Sequence, residues 1–149
     1  MMLYEAPFPE WRAFLAVVLS WFIAQSIKMV RGALYRKRFN IRWLFDTGGM
    51  PSAHSASVVS VATAVGLFYG FFSIISLISI ALAIVTMFDA AGVRRAVGRQ
   101  AKVLNKMTDE LYERGQIGEN RLKELLGHTP MEVVAGAFLG FVITFIICR

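Results

Sequence analysis

FFSIISLISIALAIVTMF, residues 71–88, runs for eighteen positions without a charge. A helix needs about 20 apolar residues to cross the hydrocarbon core of a bilayer, with about 17 to 25 accepted, so this stretch reads as a transmembrane helix. Working outward, three more apolar runs share its character. One extends from Trp11 to Val30, one from Ser52 to Tyr69–Gly70, and one from Pro130 to Cys148, with Glu132 as its single charge. The Ser52 run is slightly short and opens with small polar residues, as suits a helix shielded by protein. The whole chain is 56% apolar with twelve Phe, high for a soluble domain. These features predict an all-α, polytopic membrane protein of one domain, residues 1–149, with about four transmembrane helices.

Two charged stretches separate the runs. Arg31 to Asp46 holds five basic residues against one acid, and Asp89 to Gly127 holds eight against six. The second predicts a soluble helical insertion between helices three and four, with a partly apolar stripe through Val97, Ala101, Leu104 and Leu111, and later Leu122, Leu125 and Leu126. Gly115 and Gly118 are its expected break points. The net charge of +6 would suit nucleic acid if it lay on a soluble helix. Here it clusters between apolar runs, so nucleic acid is not an expected partner. With four crossings both basic stretches fall on one side, which the positive-inside rule makes cytoplasmic. The expected location is therefore the cell membrane, with the chemistry facing the cytoplasm. Glu5, Pro7, Pro9 and Glu10 precede the first run without the basic start of a cleaved signal, so that run is read as retained. Cys148 is the single cysteine, which excludes an intrachain disulfide and a CxxC metal site.

Four remote places meet at one depth in this topology. Lys28 ends the first run, and Gly48-Gly49-Met50-Pro51-Ser52-Ala53-His54 opens the second. Asp89 to Arg95 closes the third, and Gly127-His128-Thr129-Pro130-Met131-Glu132 opens the fourth. Ionisable groups at such a boundary are costly and commonly functional. A single histidine is most often structural, but this chain's only two, His54 and His128, both stand beside a proline at a helix start. Histidine acts as nucleophile, acid or base near neutral pH. Glu132 follows His128 by four residues, on the same helical face. It suits an orienting partner as well as a first-turn acid that complements the helix dipole. The Gly48-Gly49 turn with Pro51 and Ser52 is a helix start, and equally a place where N–H groups face an anion. Lys28, Arg94 and Arg95 supply cations that either snorkel to lipid or clamp phosphate. Arg36, Lys37 and Arg38 read as anchors. Gly136 and Gly140 mark close helix packing. A metal held by His128, Glu132 and Asp89 comes second, because neighbouring cations oppose it.

Pro51-Ser52-Ala53-His54 resembles the P-S-G-H signature of the type-2 phosphatidic acid phosphatase superfamily. The runs TGGMPSAHS, DAAGVRR and LLGHTPMEVVAG, in this order, resemble its small divergent membrane branch, over about Trp21 to Gly140. The resemblance implies a metal-independent lipid phosphatase, without cofactor, that works through a phosphohistidine. His128 matches the nucleophile, Glu132 its orienting acid and His54 the general acid. Lys28, Gly49, Ser52 and one or both of Arg94 and Arg95 match the phosphate-binding groups. The implied substrate is a lipid phosphate such as phosphatidylglycerol phosphate or a prenyl phosphate; self-association is left open. Non-catalytic binding of anionic lipid is the alternative. This chain has Tyr35-Arg36 where the superfamily has Arg-Pro, Glu132 in place of Asp, and four helices in place of six.

Overall fold

The computed structural model describes residues 9–36, 49–113 and 127–149. They form five helices: α1 (Glu10–Arg36), α2 (Ala53–Tyr69), α3 (Ile74–Ala91), α4 (Val93–Glu113) and α5 (Pro130–Cys148). Helices over Glu10–Leu34, Ile74–Asp109 and Pro130–Cys148 are long and apolar enough to cross a membrane, and Ala53–Tyr69 is a shorter apolar helix. The chain is a helical membrane protein. At 1.5 Å per residue the 17-residue α2 spans about 26 Å, a little under the ~30 Å hydrocarbon core. It is also the most enclosed helix, packed by α1, α3 and α5. The expected shielding of the short second run is thus observed.

The distribution of side chains is inverted relative to a soluble domain. The largest fully buried side chains are Thr144, Ser20, Ser52, Ser55, Ser60 and Ser76, whereas Phe14, Leu34, Phe72, Ile74 and Phe88 are exposed. Burying Leu or Phe against lipid costs nothing that burying it against protein would recover. The interior is therefore left to small residues that let backbones approach.

The closest approach is between α2 and α5, which run parallel at a constant offset of 84 residues. Ser60 meets Thr144 at 2.6 Å across that offset. Thr144 donates its single hydrogen to the Gly140 carbonyl at 2.8 Å, so Ser60 is the donor to Thr144. A Cβ on Gly140 would fall on the Ala56 carbonyl oxygen, and one on Gly136 on that of Ser52. Gly140→Ala is therefore expected to destabilise the protein by about 1–3 kcal/mol, the range for overpacking, despite the better helix propensity of alanine. Equilibrium unfolding in detergent checks this; a stability equal to wild type would show that the seam yields freely.

The turns follow from local chemistry. Ser73 caps α3 by accepting from the Ser76 N–H, and Ser76 Oγ donates to the Gly70 carbonyl at 2.8 Å. Gly70 has φ +85°, a conformation glycine adopts without Cβ penalty. The α2–α3 connection is as short as the sequence predicts. It takes Phe71 and Phe72 out of the third run, so α3 starts at Ile74. Only Gly92 separates α3 from α4. The expected stripe on α4 is split: Ala101 is buried with Gly98 and Asn105, whereas Val97 and Leu104 are exposed. The cause is angular: Ala101 stands some 60° around the helix from Leu104, on the side turned toward protein. Leu111, Gly115, Gly118 and the leucines at 122, 125 and 126 lie outside the residues whose side chains are described.

Candidate active site

The parallel arrangement of α2 and α5 brings both helix starts to the same end of the bundle. Two main-chain bonds hold that end together. The Ser52 N–H donates to the Glu132 carbonyl at 2.9 Å, and the His128 N–H donates to the Ala90 carbonyl at 3.2 Å. The start of α5 is therefore tied to the start of α2 on one side and to the last turn of α3 on the other.

His128 is 2% exposed. Its Nδ1 lies 3.1 Å from Glu132 Oε2. The same oxygen accepts the Thr129 N–H at 3.0 Å, while Thr129 Oγ1 accepts the Glu132 N–H at 3.3 Å. This reciprocal pair is a capping box, which satisfies two otherwise orphaned N–H groups of the helix start. Its consequence reaches beyond the helix. The cap holds the Glu132 carboxylate in place, and the carboxylate in turn holds the imidazole. With Nδ1–H donated to Glu132, the lone pair of the neutral ring resides on Nε2. The first-turn cap and the contact with the imidazole thus belong to one side chain.

His54 sits in the first turn of α2 and is exposed. Its ring centroid is 6.4 Å from that of His128, with the planes tilted by 58°. The two histidines, 74 positions apart in the chain, are neighbours. Gly49, at φ +94°, presents a bare backbone to the stem of Lys28: a Cβ there would stand 3.2 Å from Lys28 Cγ. Arg31, one turn further along α1, donates to the Met50 carbonyl at 3.4 Å. Both contacts lay α1 along the turn that precedes α2.

Ser52 is placed otherwise than expected for a phosphate-binding residue. It is fully buried. Its N–H is taken by Glu132, and its Oγ accepts from both Ser55 N and Ser55 Oγ, at 3.3 and 3.0 Å. Its side chain caps α2 and its main chain fastens α5. Arg94 and Arg95 stand in the first turn of α4, just past Gly92 and Ala90; their side chains lie outside those described. Among the described residues, no group of three or more His, Cys, Asp or Glu is placed to hold a metal ion. Ala90, Thr129 and Arg31 were not singled out from sequence. The Thr129-x-x-Glu132 spacing is a capping signature that could have revealed one of them. The backbone acceptor at Ala90 leaves no mark in the sequence.

These features define a helical membrane protein with a buried, carboxylate-oriented histidine and a second histidine where three helix ends converge. The chain belongs to the divergent PAP2 family, whose model matches residues 10–143. It is 38% identical over 135 residues to the uncharacterized membrane protein YuiD of Bacillus subtilis (strain 168), covering 83% of this chain and 85% of that protein. No solved structure matches significantly.

Proposed function

We propose that the protein is a membrane lipid phosphatase that hydrolyses a phosphate ester through a phosphohistidine. The observation that carries this reading is the pair of neighbouring imidazoles, one held through Nδ1 by Glu132. His128 Nε2 attacks phosphorus, the N–P bond forms and the P–O bond to the lipid alcohol breaks. His54, protonated, gives its proton to the departing oxygen. In the second step His54, now neutral, takes a proton from water, whose oxygen attacks phosphorus. The N–P bond breaks, inorganic phosphate leaves, and both histidines return to their starting states. Two moderate barriers replace one high one. Lys28 and the arginines at the start of α4 supply positive charge for the phosphoryl oxygens, and fixed charge of this kind is a large part of phosphoryl-transfer catalysis. A site at the end of a membrane bundle suits a substrate whose chain stays in the bilayer.

The test is release of inorganic phosphate by the purified protein from a panel of lipid phosphates, with and without chelator, together with trapping of an acid-labile, base-stable phosphoenzyme. Vanadate binding without turnover on any substrate would favour a non-catalytic anion-binding protein instead. His54→Ala discriminates further. It is expected to slow formation of the phosphoenzyme from alkyl esters by about 10²–10⁴-fold, the usual worth of a general acid, and from p-nitrophenyl phosphate by only about tenfold or less. Equal losses on both would remove His54 from that role.

A further inference from the structure

We infer that α4 is an interfacial helix that rests its apolar face on an anionic membrane surface. Val93, Val97, Leu104 and Met107 are 61%, 45%, 49% and 56% exposed. At 100° per residue they fall within an arc of about 80°, an apolar stripe interrupted once, by the exposed Gln100. Arg99, Lys102 and Lys106 are exposed on the opposite side. Between the two, Gly98, Ala101 and Asn105 are buried. A solvated helix has no reason to expose four large apolar side chains along one line. An apolar stripe backed by Lys and Arg is the pattern of helices that lie in the headgroup region and favour anionic lipid.

Continuity gives the second reason. α4 follows α3 with only Gly92 between them, and α3 ends with Val85 and Phe88 exposed on its lipid-facing side. The α4 stripe therefore starts at the membrane boundary, where the bilayer is the nearest apolar phase. The occupant is the lipid surface, and the segment expected to be a soluble insertion is membrane-associated over its first half.

The test uses the full chain with Cys148→Ser, reconstituted into nanodiscs of phosphatidylcholine with phosphatidylglycerol as the minority component. Single cysteines at Leu104→Cys, Met107→Cys and Lys102→Cys carry an environment-sensitive fluorophore. The labels at 104 and 107 are expected to be quenched several-fold more by spin-labelled lipid than by aqueous iodide, and the label at 102 the reverse. The contrast weakens when phosphatidylglycerol is omitted. Equal iodide access at all three positions would overturn the inference. So would protection at 104 and 107 from both quenchers with disulfide-linked dimers of Leu104→Cys, which would assign the stripe to a second copy. The readout is independent of phosphatase activity.

Discussion

His128→Ala is expected to abolish turnover of every lipid phosphate the protein accepts, by on the order of 10⁴-fold or more, as when a nucleophile is deleted from a group of residues that act as a unit. The phosphoenzyme should vanish with it. Because His128 is buried and tied to Glu132, alanine also leaves a cavity and an underused carboxylate, and a loss of activity alone could reflect loss of fold. His128→Asn removes that ambiguity. Its side-chain amide can donate to Glu132 from about the position of Nδ1, and it fills more of the space, but it offers no nucleophilic nitrogen. Both variants should be inactive while the asparagine variant unfolds close to wild type. Phosphate release surviving in the asparagine variant would transfer the chemistry elsewhere.

Glu132→Gln is the second large effect, and it separates the two tasks of one side chain. Glutamine serves a capping box as well as glutamate does, so unfolding should shift by no more than about 0.5 kcal/mol, the usual limit for a change that leaves such contacts intact. The rate, in contrast, should fall by about 10²–10⁴-fold. A neutral amide cannot stabilise the positive charge that grows on the imidazole as Nε2 bonds to phosphorus. Because one oxygen accepts from both the Thr129 N–H and Nδ1, the amide oxygen keeps both contacts and the ring its tautomer, so the loss reports the missing charge. A silent substitution would reduce Glu132 to a helix cap. A loss of stability equal to that of Glu132→Ala would mean that its charge serves the fold.

Much of this site was legible in the sequence because its strongest relationship is local. His128 and Glu132 lie four residues apart at a helix start, so helical geometry alone brings them to the same face. The apolar runs likewise declared the helices, since length and hydropathy are what a bilayer demands. Even α2, read as short and shielded, follows from its composition. The α4 segment shows the limit of such reasoning. Its periodicity indicates which residues form a stripe, but not whether protein or lipid faces that stripe.

What the chain alone determined is therefore the membrane class, the helix starts and the oriented histidine, all consequences of spacing within a single element. The tertiary structure alone decided that α2 and α5 run parallel in an 84-residue register, and that Ala90 holds the main chain of His128. It also brought His54 beside His128 and set Ser52 in the seam between α2 and α5. In lipid, apolar side chains do not distinguish a helix neighbour from solvent. Rotation and register are then set by a few small residues and backbone carbonyls, whose partners lie far away in sequence and become apparent only when the helices touch.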